Sequence, residues 1–382
     1  MLIHLIAAAR PNFMKIAPLY HALKKEPWAE PVIVHTGQHY DLNMSDVFFQ
    51  DLGLPEPGIH LGVGSGTHAE QTGQVMMAYE KVINDTRPDL VVVVGDVNST
   101  MACTIAAVKM PTQLSATSNE LGRRPYVGHL EAGLRSFDRT MPEEINRLVT
   151  DTLADILWTP SPDGDENLMR EGVAPSKIQR VGNIMIDSLE MLRETIESQA
   201  AFEELGLKAG EYGLVTLHRP SNVDDPQILQ RLCKKLVGIA KQVPLVFPIH
   251  PRTRKNIDNL DLMADLAKEK QLIISEPLSY IKFMNLVFNC RFALTDSGGI
   301  QEETTYLGIP CLTLRPNTER PISVEQGTNK LCNLDNLEEN LQEVLSTKKS
   351  VKPNIEFWDG RTAERVVRSI KKLLVDSVGK VY

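Results

Sequence analysis

Short apolar strands alternate with amphipathic helices along most of the chain, and this alternation constrains the fold more than any other feature. Val91–Val94 is apolar at every position and ends in Gly95-Asp96, which is typical of a central parallel strand buried on both faces. The next segment, 99–109, has a helical pattern, and Ser99 or Thr100 can cap its first turn. Repetition of this strand–helix unit predicts doubly wound parallel sheets.

The alternation begins again after about Gly182, and 382 residues suit two domains of ordinary size. We therefore predict an α/β fold with two Rossmann-like, doubly wound domains, the first spanning 1–184 and the second 185–360. A C-terminal helix and tail, 361–382, could pack back on the first domain. The predicted strands are 2–6, 31–35, 91–94, 126–130, 213–217, 245–247, 272–274, 292–294 and 311–314; the predicted helices are 12–25, 99–109, 227–239 and 361–375, with another beginning at Pro142.

Composition and charge argue against several classes of protein. With 41 basic and 49 acidic residues the formal net charge is −8, so a broad nucleic-acid-binding surface is not expected. The five cysteines are dispersed and form no metal-binding cluster, which predicts buried, reduced thiols. The apolar start, Leu2–Ala9, is short and runs into Arg10-Pro11, and no segment reaches the ~18 apolar residues of a membrane span. We expect a cytoplasmic protein with no metal site and no membrane association.

Two cations flank the first strand–helix turn. Arg10 and Lys15 lie near the start of the predicted helix, where a phosphate or another anion could bind. Two solvated surface charges are an equally good interpretation, although cations at this end of a helix oppose its dipole. The pattern alone leaves both interpretations open.

A glycine-containing turn follows a later strand. Thr295-Asp296-Ser297-Gly298-Gly299 leads into a helix, and free backbone N–H groups at such a turn suit a diphosphate. Glu303, about one helical turn further on, could accept hydrogen bonds from ribose hydroxyls. The alternative is an ordinary tight turn followed by a helix with acidic residues near its start, because neither a P-loop nor a GxGxxG pattern is present.

Ionisable residues follow several other strands. Asp96 and Glu131 would form an acid/base pair if they faced one cleft, although each taken singly is more often a turn former or helix cap. Glu143 lies in a Pro-Glu-Glu helix start that has a sufficient structural explanation. His218 and His250 also follow strands, as acid/base or phosphate-binding groups or as structural histidines.

Taken together, these segments resemble the bacterial and archaeal non-hydrolysing UDP-N-acetylglucosamine 2-epimerases. The match agrees in order and spacing over nearly the whole chain. The matching stretches are Ala9-Arg10-Pro11 with Lys15, Thr36-Gly37-Gln38-His39, Gly95-Asp96, Gly128-His129-Leu130-Glu131-Ala132-Gly133-Leu134-Arg135, Pro142-Glu143-Glu144 with Asn146-Arg147, Gly182-Asn183, Thr216 with His218-Arg219, Pro248-Ile249-His250, Thr295 through Glu303, and Thr318-Glu319-Arg320-Pro321.

The resemblance implies a GT-B-like fold with UDP in the cleft between the domains, and a homodimer. It implies reversible conversion of UDP-N-acetylglucosamine to UDP-N-acetylmannosamine, by elimination of UDP to 2-acetamidoglucal and re-addition, without metal or nicotinamide. By the same resemblance the catalytic residues are Asp96, Glu131, Glu143 and His218, and the substrate-binding residues are Arg10, Lys15, Arg135, His250, Phe283, Ser297, Gly298, Gly299, Glu303 and Arg320. Phe283 matches a position beside the uracil.

Two departures from the family pattern qualify these expectations. The stretch 110–124 is longer than expected and could form an extra loop near the cleft. Tyr40-Asp41 and Pro220-Ser221 differ from the residues with which some bacterial members bind a second, activating UDP-N-acetylglucosamine, so we expect weak or absent substrate activation.

Three other functions stay open on the sequence alone. A hydrolysing epimerase would release free N-acetylmannosamine and UDP. A GT-B glycosyltransferase would need an acceptor for its UDP-sugar. A nucleotide-sugar sensor would bind without turnover, which the three acids Asp96, Glu131 and Glu143 disfavour.

Overall fold

The computed structural model describes residues 1–37, 49, 51–110, 124–346 and 352–376. It divides into two compact units. The first unit comprises Met1–Met191 and Glu356–Tyr382, and the second comprises Leu192–Ile355. Each unit contains one parallel sheet with helices between its strands, which confirms the predicted α/β class with two doubly wound, GT-B-like domains.

The first unit has a seven-stranded sheet in the order β3-β2-β1-β4-β5-β6-β7. All four strands predicted in this part of the chain are present, whereas β3, β6 and β7 were not predicted. The strands are β1 Leu2–Ala7, β2 Glu30–His35, β3 Ile59–His60, β4 Leu90–Val94, β5 Tyr126–Leu130, β6 Ile156–Thr159 and β7 Ile178–Arg180.

The helices of the first unit begin with recognisable signals. Thr67 and Glu70 form a capping box, and proline opens the helix at residue 142. The α-helices are Arg10–Lys24, His68–Thr86, Asn98–Val108, Pro142–Leu153, Pro162–Arg170, Ile184–Glu197, within which the division between the units falls, and Thr362–Lys371; a 3-10 turn covers Pro175–Lys177 and a π-turn Lys372–Asp376.

The C-terminal helix, Thr362–Lys371, packs within the first unit. The Asp187 carboxylate accepts hydrogen bonds from the backbone N–H groups of Thr362, at 3.0 Å, and Ala363, at 2.8 Å. Trp158, buried in β6, donates from Nε1 to the Ser369 hydroxyl at 2.8 Å. Capping at one end and side-chain contact further along hold this helix to the body of the unit.

The second unit has a six-stranded sheet in the order β10-β9-β8-β11-β12-β13. The five predicted strands are present, and β13 is an addition. The strands are β8 Gly213–Thr216, β9 Leu245–Pro248, β10 Leu272–Ser275, β11 Phe292–Thr295, β12 Cys311–Leu314 and β13 Asn329–Cys332. The helices are Ala201–Glu204, Pro220–Val223, Pro226–Ala240, Pro251–Asn259, Met263–Leu266, Tyr280–Asn289, Gly298–Leu307, Ile322–Glu325 and Leu337–Ser346.

The six strands of the second sheet follow the same order as the first six strands of the first sheet, and this order places the functional residues. In each sheet the order reverses between two adjacent strands, β1 and β4 in the first unit and β8 and β11 in the second. Loops after such strands diverge to opposite faces of the sheet, and ligands of doubly wound folds bind at the crevice so formed. The carboxyl ends of these four strands are therefore the places to look for a site.

Central strands carry the cores of both units. Val91 and Val93 of β4 pack with Tyr79 and Leu157 in the first unit, and Phe247 packs with other buried side chains in the second. All five cysteines are buried and unpaired. Among the described residues, no helix combines the length and apolar character that a membrane crossing requires.

Candidate active site

In the first unit, the turns after β4 and β5 meet the helix that follows β1. Gly95 follows β4 directly with a φ of +67°, and its backbone N–H donates to the Leu130 carbonyl at 3.1 Å. A Cβ atom at position 95 would lie 3.0 Å from Lys15 Nζ and 3.5 Å from Glu131 Oε2. Glycine is therefore needed here both for the left-handed backbone and for the close approach of a charged pair.

Lys15 and Glu131 form that pair. Lys15 Nζ lies 2.5 Å from Glu131 Oε2, and the Glu131 residue is 5% exposed. Glu131 adopts a φ of +71°, and its second oxygen, Oε1, is buried without a hydrogen-bond partner. A strained backbone and an unsatisfied buried oxygen both cost free energy, so their coincidence points to a group kept for binding or chemistry.

Asp96 follows Gly95 in the same turn after β4. Arg147 binds its Oδ2 through Nη2 at 2.7 Å and through Nε at 3.0 Å, and also binds Glu144 at 2.5 Å. Asn146 donates to the Asp96 backbone carbonyl at 2.8 Å. The Asp96 side chain is held by Arg147 yet stays about one third exposed, which leaves it accessible to a ligand.

Two predicted residues of the first unit are not brought into these contacts. Glu143 is half-buried, and no other described residue forms a hydrogen bond or ion pair with its carboxylate. The backbone of Arg10 begins the first helix, and its side chain lies outside the described part of the structure. The roles of both residues stay predictions.

A buried ion network lies beneath the turn at Gly95. The His129 ring is fully buried, with Nε2 2.8 Å from the Gly95 carbonyl and Nδ1 2.5 Å from Asp151 Oδ1. Asp151 also binds Arg135 at 2.7 Å. Burial raises the pKa of Asp151, but His129 and Arg135 outweigh it and bring the pKa below its ordinary value.

Arg135 belongs to this internal network. It is 2% exposed, and its guanidinium contacts Asp151, Glu171 and the Leu134 carbonyl. These contacts explain the arginine as part of the internal network. We propose a structural role for it in place of the substrate-binding role implied by the resemblance.

In the second unit, Asp296 joins the ends of β8 and β11. It is fully buried and accepts hydrogen bonds from the backbone N–H groups of His218 and Arg219 and from the Asn222 side chain. Burial raises the pKa of Asp296, but hydrogen bonds from His218 and Asn222 outweigh it, so the pKa lies below its ordinary value. The ionised carboxylate ties together the two loops at the point where the strand order reverses.

The same carboxylate orients the His218 ring. His218 Nδ1 lies 3.1 Å from Asp296 Oδ1, and the side chain is 39% exposed. Because a carboxylate only accepts, Nδ1 carries a proton, and Nε2 is the nitrogen available to exchange one. No described residue hydrogen-bonds to Nε2. The structure thus places His218 as a histidine that can act as an acid/base group.

His250 lies against His218, with ring centroids 5.3 Å apart. Its Nδ1 accepts from the Arg252 backbone N–H at 3.2 Å and caps the helix Pro251–Asn259. Burial lowers the pKa of His250 below its ordinary value, and the neighbouring His218 and Arg252 add to that effect. These contacts explain the residue structurally, and they also place it beside a predicted catalytic group.

The predicted glycine-containing turn opens the helix Gly298–Leu307. Ser297 is the N-cap, and its side chain makes no capping hydrogen bond. A Cβ at Gly298 would lie 2.7 Å from Arg320 Nη1, whereas a Cβ at Gly299 would meet nothing within 4 Å. Gly298 thus leaves room for the Arg320 guanidinium, and the backbone of Gly299 has free space beside it. Uncapped N–H groups at a helix start are a ready site for an anion.

Arg320 is oriented by two acids. Its Nε lies 2.8 Å from Glu302 Oε2 and its Nη1 lies 2.7 Å from Glu319 Oε1. Burial raises the pKa of Glu319, but Arg320 and Arg315 outweigh it and hold the pKa well below its ordinary value. An ionised Glu319 therefore fixes the arginine next to the helix start.

Glu303 is buried further along the same helix. The Tyr280 hydroxyl donates to Glu303 Oε1 at 2.7 Å. Burial raises the pKa of Glu303 to about 7, with the neighbouring Glu302 adding to the rise and the Tyr280 hydrogen bond opposing it. Phe283 packs against a small cluster formed by Ala293, Ile300 and Cys311, which links the helix beginning at Tyr280 to the one carrying Glu303.

Sequence reasoning missed most of the residues that orient the site. The position of Asp296, directly after β11 and within the glycine-containing turn, is a local signal for a functional residue, but nothing in the sequence indicates its contact with His218. Arg147 lies four residues after Glu143, the spacing of an ordinary pair on a helix surface, yet it binds Glu144 and Asp96. Glu302 and Glu319 lie in stretches that match the family, but no role was predicted for either of them, and Tyr280 carries no local signal.

Some predicted features lie outside the description. Gln38, His39, Tyr40 and Asp41, and with them one part of the expectation about substrate activation, are outside the described residues, as is most of the stretch 110–124. In the described ranges, no three His, Cys, Asp or Glu side chains are grouped so as to hold a metal ion.

Comparison with known proteins gives a consistent result. The family model for UDP-N-acetylglucosamine 2-epimerase matches residues 21–371. The chain is 41% identical over 377 residues to UDP-N-acetylglucosamine 2-epimerase of Methanocaldococcus jannaschii, across 96% of this chain and 98% of the relative. It is 39% identical over 330 residues to UDP-2,3-diacetamido-2,3-dideoxy-D-glucuronate 2-epimerase of Pseudomonas aeruginosa, across 85% of this chain and 86% of the relative.

Solved structures agree with the sequence relatives. The crystal structure of the M. jannaschii UDP-GlcNAc 2-epimerase in complex with UDP-GlcNAc and UDP is similar to this chain with a TM-score of 0.85 and 38% sequence identity. The superposition covers 97% of this chain and 99% of that one. Agreement over this length includes both units of the fold.

Proposed function

Because the chain belongs to the UDP-N-acetylglucosamine 2-epimerase family, we propose that it interconverts UDP-N-acetylglucosamine and UDP-N-acetylmannosamine. The observation that carries this proposal is the arrangement after β4 and β5. There a buried glutamate with one unpartnered oxygen, Glu131, lies against Lys15 beside the turn that carries Asp96. An isomerase that breaks a C–H bond needs acid/base groups placed in this way.

The chemistry explains why two kinds of site are needed. The hydrogen at C2 of the sugar is not next to a carbonyl, so its removal must accompany departure of UDP from C1. Elimination breaks the C2–H and C1–O bonds and leaves UDP and 2-acetamidoglucal. Re-addition delivers a proton to the other face of C2 and re-forms the C1–O bond. Acid/base groups serve the sugar, and N–H groups and cations stabilise the departing diphosphate.

We assign the acid/base work to the first unit, with Asp96, Glu131 and Glu143, and to His218 of the second. The nucleotide is assigned to the second unit, with the diphosphate at the helix start Gly298-Gly299 beside Arg320 and the ribose at Glu303. The open Gly299 backbone and the uncapped helix start support this assignment. Lys15 and Arg10 add positive charge for the diphosphate, Ser297 lies at the same helix start, Phe283 lies beside the uracil, and His250 contacts the sugar nucleotide.

We further propose that the enzyme is a cytoplasmic homodimer that does not act on nucleic acid. Five unpaired thiols suit a reducing compartment. Light scattering on the purified enzyme tests the dimer, and a mass matching one chain would contradict it.

The proposed reaction is tested by proton NMR with UDP-N-acetylglucosamine in D₂O and no added acceptor. We expect UDP-N-acetylmannosamine with deuterium at C2. UDP with free N-acetylmannosamine would identify a hydrolysing epimerase instead. Unchanged substrate would contradict the proposal and favour the transferase or the sensor.

One observation supports a second substrate. The identity to the Pseudomonas enzyme, 39%, is close to the 41% for the archaeal one, although the substrates in their names differ at C3 and C6 of the sugar. UDP-2,3-diacetamido-2,3-dideoxy-D-glucuronate is therefore assayed in parallel. A higher kcat/KM with this compound would reassign the substrate and keep the reaction type.

Binding of UDP should depend on pH through Glu303. The pKa of this buried acid is about 7. The ionised carboxylate can accept hydrogen bonds at both oxygens, whereas the neutral acid carries a proton on one oxygen that competes with the ribose hydroxyls. We expect UDP to bind more tightly as pH rises from about 6 to 8, because Glu303 changes from mostly protonated to mostly ionised across its pKa.

The measurement is calorimetric titration of UDP across this range for the wild type and Glu303→Gln. Phosphate titration of UDP itself cancels in the ratio of the two dissociation constants, because glutamine does not titrate. The dissociation constant of the variant divided by that of the wild type should grow several-fold as the pH rises. A constant ratio would show that Glu303 does not contact the nucleotide in its ionised form.

A further inference from the structure

Glu303 lies on the same side of its helix as the open backbone at Gly299. The two residues are four apart, so a side chain at 303 lies one turn along from position 299, about 5–6 Å away on the helix surface. Nothing occupies the space where a side chain at Gly299 would be. A nucleotide whose diphosphate binds the helix start therefore has Glu303 within reach of its next portion, the ribose.

Tyr280 forms a hydrogen bond with one of the two carboxylate oxygens of Glu303. Its hydroxyl lies 2.7 Å from Oε1. Burial raises the pKa of Tyr280 well above its ordinary value, with Glu303 adding to the rise, so the phenol keeps its proton and is the donor. No described residue donates a hydrogen bond to the other oxygen, Oε2. The carboxylate is thus held at one oxygen and available at the other.

Holding a buried carboxylate in this way has two consequences. The hydrogen bond fixes the rotation of the carboxylate group, so that Oε2 presents a defined direction to a ligand. The phenol donor also stabilises the ionised form of Glu303. It thereby opposes the negative charge of the adjacent Glu302, which favours the protonated form. Both effects suit an acceptor for a hydroxyl donor.

We propose that Tyr280 is a positioning residue for nucleotide recognition: it holds Glu303 so that its free oxygen accepts from a ribose hydroxyl. The proposal rests on the function proposed above, and it adds that selection of ribonucleotides over deoxynucleotides depends on Tyr280. In this role Tyr280 acts through Glu303.

The test is the affinity for UDP of the variant Tyr280→Phe, measured by calorimetry and compared with that for 2′,3′-dideoxyuridine diphosphate. We expect UDP to bind about tenfold more weakly, as for loss of a hydrogen bond to a charged group. The dideoxy nucleotide, which lacks the hydroxyls, should bind the variant and the wild type equally. In turnover, KM should rise while kcat stays within about twofold, because the contacts with the ribose are the same in the bound substrate and in the transition state.

Tyr212→Phe is the matched control. Tyr212 is buried in the same unit and donates to the Leu286 carbonyl at 2.6 Å, so the substitution removes a comparable hydrogen bond away from the helix start. It should lower the melting temperature and leave UDP affinity unchanged. This separates a general loss of stability from a loss of positioning.

The outcomes are distinct. An equal loss of affinity for both nucleotides would show that Tyr280 supports the fold only, and an unchanged affinity for UDP would also overturn the positioning role. A wild-type protein that fails to bind UDP would overturn the proposed function together with this inference. A loss confined to UDP supports both.

Discussion

Replacing Glu131 by glutamine is expected to lower kcat for epimerisation by about a thousandfold, within the range observed for loss of a general acid or base. Glutamine keeps the size of the side chain and a hydrogen bond to Lys15, which lies 2.5 Å from Oε2 in the native protein. It cannot take up a proton at the position of the unpartnered Oε1. Deuterium incorporation at C2 should fall in parallel with kcat.

The affinity for UDP separates this effect from misfolding. It should be unchanged or somewhat tighter, because the variant removes one negative charge from the neighbourhood of Lys15. Glu80→Gln, on an exposed face of the helix His68–Thr86, is the matched control and should behave as wild type. A Glu131→Gln enzyme within about threefold of wild-type kcat, less than the smallest loss expected for such a group, would remove Glu131 from the chemistry.

Replacing Asp151 by alanine is expected to have the largest effect on stability, a loss of about 3–5 kcal/mol in the free energy of unfolding of the first unit. The carboxylate is fully surrounded and binds His129 Nδ1, Arg135 Nη1 and the Gly133 N–H. Its removal leaves a buried guanidinium with one acidic partner fewer and a buried imidazole without its acceptor. Asp151→Asn keeps an acceptor oxygen and should cost less.

The measurement uses the natural fluorescence of the chain. The three tryptophans, at 28, 158 and 358, all belong to the first unit, so denaturation followed by tryptophan fluorescence reports that unit. Asp85→Ala, an exposed aspartate of the same unit, should leave the midpoint unchanged. The folded-state pKa of Asp151 is depressed, so its contribution is present at neutral pH and is lost as pH falls through that pKa. A midpoint for Asp151→Ala equal to that of Asp85→Ala would contradict the network.

The missed strands show where pattern analysis stops. β3 has two residues and β7 has three, and both are only partly buried, so neither produces an apolar run. β4, by contrast, is apolar and buried throughout and was recognised almost to the residue. Periodicity and apolar runs detected most of the strands that bury a whole face, but they missed β6, a buried interior strand of four residues, together with the edge strands β3, β7 and β13.

The site divides in the same way. The sequence predicted which strands and turns carry its ionisable groups, because residues at the ends of parallel strands follow a local pattern. It did not predict their partners. Lys15 and Glu131 are separated by 116 positions, and His218 and Asp296 by 78.

The order of the residues was thus enough to predict the α/β class, the repeated strand–helix pattern of two domains, the family and the candidate catalytic residues. The contacts emerged only from the folded chain: Arg147 holds Asp96, Arg135 belongs to a buried network, and Tyr280 donates a hydrogen bond to one oxygen of Glu303. The difference follows from the range of the forces involved. Helix and strand periodicities act between near neighbours and are visible in the order of residues, whereas the order of strands in a sheet brings distant residues together and has no local signal.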